Sequence, residues 1–220
     1  MLEITGVTAG YGRTKVLHDV TIHDLQGGHL SPYGAPGAAA GVRLSNGAIA
    51  DATAIAAWDL RWAKNDTGPA YGLWVESGTL TAQGITLVGI TGASNGVRVE
   101  ELPSDQSVTI SHAILSGVDG FCLESDSGNP LSRVQISQSN LHACGAGEED
   151  FGKNVALLGD LMHVDPLFVD AANGDLRLSS ASPCIDAGSS ACEAFSQEPE
   201  PNGCAANYGA YGNTPEAATT

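Results

Sequence analysis

Glu76, Glu100 and Glu124 each close the same kind of run: Gly72-Leu-Trp-Val-Glu, Gly96-Val-Arg-Val-Glu and Gly120-Phe-Cys-Leu-Glu. A fourth run, Gly41-Val-Arg-Leu-Ser, ends on serine instead. Alternation along an extended chain puts Val42/Leu44, Leu73/Val75, Val97/Val99 and Phe121/Leu123 on one side. Arg43/Ser45, Trp74/Glu76, Arg98/Glu100 and Cys122/Glu124 then share the other. If the runs stack in register, Glu76, Glu100 and Glu124 form a column with ~5 Å between neighbours. Arg43, Trp74, Arg98 and Cys122 form the column beside it. A saccharide-binding face is one chemistry these residues suit. Trp74 offers a plane to a sugar ring, and Arg98 a bidentate fork to a uronate. Paired carboxylates also suit the acid/base work of a polysaccharide lyase or glycoside hydrolase. Two or three glutamates could instead hold Ca2+. The plainer alternative is a solvated sheet face whose arginines and glutamates pair across strands. Stacked glutamates repel by roughly 1 kcal/mol per neighbouring pair in water. The column therefore calls for Arg43 and Arg98, a cation or a ligand beside it.

The elements that must position these side chains are read from an internal repeat. The four glycines recur at intervals of 31, 24 and 24 residues. Between them lies a second shared segment: VTISHAILSGV from Val108, VQISQSNLHAC from Val134 and LTAQGITLVGI from Leu80, with looser copies from Ala48 and Lys15. All alternate with period two and are punctuated by Gly, Asn and Ser. AIADATAIAAW, an Ala-rich helix in composition, matches the other copies and is assigned as a strand. A repeat near 24 residues carrying two or three short strands fits one coil of a parallel β-helix. The expected fold is all-β, a right-handed parallel β-helix of about six coils over residues 1–145, roughly 29 Å long at the strand spacing of a sheet. Residues 146–190 are expected to form a terminal coil and capping segment, and 191–220 a Pro- and Gly-rich tail.

Composition narrows the partners. The 220 residues carry 9 Lys and Arg against 25 Asp and Glu, a net charge of −16. That field opposes nucleic acid and anionic bilayers, and no apolar run is long enough to span a membrane. GAPGAAAGVRLS, from Gly34, lacks the Lys-Ser/Thr of a phosphate-binding loop. No serine nucleophile elbow occurs, and His18, His23, His112 and His142 are dispersed over strand positions. MLEITGVT has no basic region leading into an apolar stretch and reads as a strand from its first residue, so further coils are expected upstream. An uncapped first coil would pair edge to edge with another chain. Either a segment within Met1–Leu30, helped by HLSPYGAPGAAA, caps it or the chain associates end to end. Cys192 and Cys204 flank EAFSQEPEPNG and are expected to form a disulfide worth roughly 3 kcal/mol. The pairing of Cys122, Cys144 and Cys184 stays open. Arg177 is expected to pair with a nearby aspartate, and Asp165, Asp170 and Asp175 offer Ca2+ oxygen ligands as the alternative. Asp119 and Asp126 resemble the Asp-rich turns of glycosidases on this fold, without a complete motif.

DPLFVD, NGDLRL, SPCIDAG and YGAYGNTPEA, all between His163 and Ala217, resemble the C-terminal segment of secreted bacterial β-helix proteins. These belong to the pectate-lyase-like superfamily and carry a choice-of-anchor Q type tail. Cys204 stands where that tail commonly has glycine. The resemblance implies export, an extracellular or cell-surface location and attachment or display. It does not imply one activity, because the fold hosts lyases, hydrolases, esterases and adhesins. The expectation is an extracellular domain that binds, or is displayed on, polysaccharide, acidic sugars included, with no cofactor unless Ca2+. A lyase or hydrolase and a structural spacer are the alternatives.

Overall fold

The computed structural model describes residues 14–23, 26–27, 39–44, 48–62, 69–92, 94–126, 133–145, 154–188, 197–201, 203 and 205–219, with backbone alone for 14–23, 26–27, 39, 48 and 61–62. It is a parallel β-solenoid. The first coil contains β1 (Thr14–His23), β2 (Gln26–Gly27) and β3 (Ala39–Leu44), and the second β4 (Ala48–Trp58), β5 (Arg61–Trp62) and β6 (Ala70–Val75). The third has β7 (Gly78–Ile90) and β8 (Asn95–Val99), and the fourth β9 (Val108–Ser111), β10 (Ile114–Val118) and β11 (Leu123–Ser125). Next come β12 (Val134–Ser137) and β13 (Ser139–Cys144), then the short β14 (Ala156–Leu157) and β15 (Leu161–Met162). An antiparallel hairpin, β16 (Phe168–Asp170) and β17 (Asp175–Leu178), follows. A long sheet runs from β1 through β4 and β7, then divides into β9-β12-β14 and β10-β13-β15. The short sheet has the order β11-β8-β6-β3. Four coils have a paired strand on both sheets among the described residues, fewer than the six expected.

The long sheet divides because its strands turn two corners. Ala54, Gly84, His112 and Gln138 all have positive φ and stand at equivalent positions of successive coils. Asp59, Gly89, Gly117 and Ala143 do the same one side further on. Each left-handed residue interrupts the alternation, so the inward series runs Leu80, Ala82, then Ile85, Leu87, then Ile90. Stacked copies make continuous columns: Ala52, Ala82, Ile110 and Ile136 form one, Ala57, Leu87, Leu115 and Leu141 another. This is why LTAQGITLVGI and its relatives read as one long strand although each serves two sides of the coil.

A second rule explains the glycines that anchor the repeat. A Cβ on Gly72 would stand 2.7 Å from Ile90 Cδ1 and 2.8 Å from Gly96 O of the next coil. Gly41 makes the same room for Leu60 at 3.0 Å, and Gly96 for Val118 at 3.5 Å. At the next step the pair is Cys122 and Cys144, joined as a disulfide with Cα atoms 5.6 Å apart. The bond occupies the place that glycine and an aliphatic side chain fill in the coils before it. Cys184 is a buried free thiol. Cys192 and Cys204 lie outside the described residues, as do most of the N-terminal segment and HLSPYGAPGA, all but the last two residues of the stretch expected to cap the first coil.

The C-terminal segment lies along the flank of the coils. Ala56, Thr86, Ile114 and Asn140 point outward from the second side, one per coil. Leu176, Leu178, Cys184, Tyr208 and Ala210 cover that side. Gly209 N donates to His112 O (2.8 Å), and Ala210 N to Thr86 Oγ1 (2.8 Å). The Asn140 side chain pairs both ways with the Val164 backbone. A flank with apolar or small residues inside and outside alike needs such a cover.

Candidate functional site

The short sheet brings the chemistry-bearing residues together. Its register pairs Arg43 with Trp74, Trp74 with Arg98, and Arg98 with Glu124. Glu76 and Glu100 each follow a buried valine, Val75 and Val99, which are themselves partners. The first three runs therefore stack as their sequences suggest. The fourth does not. Leu123 lies opposite Val97, an offset of 26 residues, where glycine alignment requires 24. Cys122, not Gly120, occupies the position of Gly96. It is fully buried in the core and not on the outward column. Glu124 leaves the glutamate column and stands beside Arg98, and Asp126 takes the place beside Glu100. The stacked-carboxylate column is thus Glu76, Glu100 and Asp126. Ser45 lies outside the described residues.

This shift changes the electrostatics of the face. Arg98 meets Glu124 (Nη1 to Oε2, 2.6 Å), Glu100 (Nε to Oε1, 3.5 Å) and Asp126 through Nη2. Burial opposes its charge, but the three carboxylates outweigh that and hold the guanidinium above its ordinary range. Its side chain is only 14% exposed, which places the pairs at the wetted edge of the protein and not fully in water. Arg43 pairs with Glu76 and lies over the Trp74 ring, 4.5 Å from its centroid, a cation–π contact. Trp74 Nε1 donates to Glu100 Oε1 at 3.1 Å. Tyr71 stands 5.5 Å from Trp74, centroid to centroid. Its hydroxyl is held above the usual phenol range chiefly by burial. Asn95, which neither spacing nor motif singles out, donates to Glu124 Oε2 (2.6 Å) and accepts from Phe121 N (3.0 Å).

All five sequence-selected residues, Trp74, Arg98, Glu76, Glu100 and Glu124, therefore lie on one outward face. Tyr71, Asn95 and Asp126 join them; strict alternation with Leu73 and Val75 would have turned Tyr71 inward, and the phase slips at Gly72, which is buried like Leu73. Two arginines face four carboxylates, so the face is net negative. Each carboxylate has an arginine, indole or amide donor on it, and Arg98 has its fork committed to partners within the chain. Elsewhere, Arg177 pairs with Asp175 through two contacts of 2.8 and 2.6 Å. Asp165 and Asp170 hold a local turn through Leu167 N and Asn173 Nδ2. His142 Nδ1 lies 3.1 Å from Ser116 Oγ, a half-buried contact between successive coils. His112 is buried at its corner, where burial lowers its basicity. Among the described residues no three His, Cys, Asp or Glu side chains converge as metal ligands, and no helix is long and apolar enough to cross a membrane. Compared with family profiles, curated proteins and solved structures, the chain matches none of them.

Proposed function

We propose that the chain is an extracellular solenoid module that lies against a polysaccharide through its short sheet. The observation that carries this reading is the Arg43–Trp74–Tyr71 strip set among Glu76, Glu100, Glu124 and Asp126 on one exposed face. Carboxylates at successive rungs accept hydrogen bonds from sugar hydroxyls, and the aromatic strip supplies apolar contact for C–H faces. Arg43 covers one face of Trp74, so a sugar ring meets the edge of the strip. With Arg98 already held by three carboxylates and the face net negative, a uronate would be repelled. The reading therefore narrows to neutral glycans. The resemblance of the tail motifs to choice-of-anchor Q proteins, and a coil-to-coil disulfide of the kind that persists in oxidising compartments, support a surface location.

An array of neutral and uronic polysaccharides, probed with the parent chain and with Trp74→Ala, tests this. The parent should bind neutral polymers, and Trp74→Ala should lose about 1 kcal/mol of affinity or more, the order of one aromatic contact. If the parent binds nothing on the array, the ion-pair ladder serves only to hold coils together and the spacer reading replaces this one.

A further inference from the structure

We propose that the C-terminal segment holds a divalent cation, Ca2+ by the chemistry of its ligands, between the carboxylates of Glu198 and Asp186. Glu198 is only 5% exposed. Its Oε1 accepts two backbone N–H groups, from Asn207 (3.1 Å) and Asn213 (2.7 Å). Its Oε2 is buried and accepts no hydrogen bond. A carboxylate oxygen taken out of water without a donor or cation is strongly unfavourable. Asp186, a second acid, is near enough for its charge to act on Glu198. Asp186 donates its backbone N–H to Asn207 Oδ1 at 2.8 Å, so Asn207 links the two acidic residues directly. The Gly203 backbone is packed so closely on the Asp186 carboxyl that a Cβ there would overlap it. Among the described residues no Arg, Lys or His pairs with either acid.

The donors are hard oxygens. Two carboxylates, with amide and backbone oxygens of the surrounding turns to complete the shell, suit Ca2+ and not zinc or copper. The position gives the cation a task. Tyr208 N bonds Cys184 O and Gly188 N bonds Ala206 O on either side of Asp186 and Asn207. Gly209 and Ala210 follow at once and fasten the segment to His112 and Thr86 of the coils. A cation joining Asp186 to Glu198 closes the turn that presents Gly209 and Ala210 to the solenoid.

The test is titration of CaCl2 into the oxidised, metal-free full chain at neutral pH, read by calorimetry and by thermal unfolding. One Ca2+ per chain should bind with a Kd of about 10⁻⁴–10⁻³ M, the range of extracellular modules, and the melting temperature should rise with the same midpoint. Glu198→Gln keeps the acceptor for Asn207 and Asn213 but should abolish binding. Asp186→Asn should weaken it about tenfold or more. Neither variant should melt below the metal-free parent, since each removes a like charge. Absence of saturable heat and melting shift in the parent overturns the site. So does a Glu198→Gln or Asp186→Asn variant that binds like the parent; if the first does not fold, the second decides alone. A metal-free parent that melts higher as pH falls, and is indifferent to CaCl2, would show that the two acids share a proton instead.

Discussion

Replacing Arg98 with methionine keeps the aliphatic stem of the side chain and removes its charge. Three ion pairs vanish, with Glu124, Glu100 and Asp126. At an effective dielectric near 20 a pair at 4 Å is worth about 4 kcal/mol. Those carboxylates are 28%, 36% and 52% exposed, so each contact is discounted towards the 0–1 kcal/mol of surface pairs. The loss of three such contacts, with the carboxylates then repelling one another at rung spacing, comes to roughly 2–3 kcal/mol. For a chain of this length that is a fall in melting temperature of about 4–10 °C. Urea unfolding of parent and Arg98→Met, with the disulfide oxidised, measures it. Because the deficit is electrostatic, lost attraction and new repulsion alike, it should shrink by about half between low salt and 0.5 M NaCl. A variant within about 0.5 kcal/mol of the parent at low salt would refute the account of this face as a ladder that depends on Arg98.

Gly72→Ala should cost about 1–3 kcal/mol by overpacking, because Ile90 and the Gly96 carbonyl oxygen already stand against the missing Cβ; equilibrium unfolding reads it. Reducing Cys122–Cys144, which closes 22 residues, should remove roughly 3 kcal/mol. The double variant Cys122→Gly/Cys144→Val, which restores the pairing used by the other coils, should be at least as stable as the reduced parent when compared by thermal unfolding in reductant. If it is less stable, the structural equivalence of the four pairs is wrong. Cys184, its thiol pushed up to about 11 chiefly by burial, should resist a thiol reagent at pH 8 in the native chain and react only on unfolding.

The parallel solenoid was legible because alternation and the glycine runs both report stacking of like on like. The candidate face was legible for three coils for the same reason: Val75 and Val99 fix Glu76 and Glu100. The fourth coil misleads because Gly120 imitates the anchoring glycine while Cys122 holds its place. Only the second cysteine, Cys144, at the position of Leu60, Ile90 and Val118, explains why a side chain is tolerated there. The corners were hidden for another reason. Left-handed φ is adopted by Ala54, His112, Gln138 and Asp59 as well as by glycines. No residue type marks the turn, and the phase slip in burial appears only once the interior is known. Covering of the second side by the tail depends on contacts as far as 124 residues apart in the chain, between Thr86 and Ala210, which no local pattern encodes.

Once both corners are placed, the three sides of the coil have different fates, and this confines where a partner can meet the protein. The first side presents Asp51, Thr81, Thr109 and Gln135 outward in register, polar and nearly uncharged. The second side presents Ala56, Thr86, Ile114 and Asn140 and is closed by the chain's own C-terminal segment. Among the described residues only the third gathers aromatic, cationic and anionic groups on an uncovered side, and its two arginines leave two of four carboxylate charges unbalanced. Selection for coil stability alone could have been met by an uncharged ladder like that of the first side, since isolated surface ion pairs contribute little. Arg98 with three carboxylates, and Arg43 over Trp74, concentrate charge and aromatic surface on one side of the scaffold. That asymmetry is the physical reason for the proposal that the short sheet is the recognition face, and the proposal predicts that ladder substitutions on the first side, such as Thr81→Ala, leave any glycan binding untouched while Trp74→Ala does not.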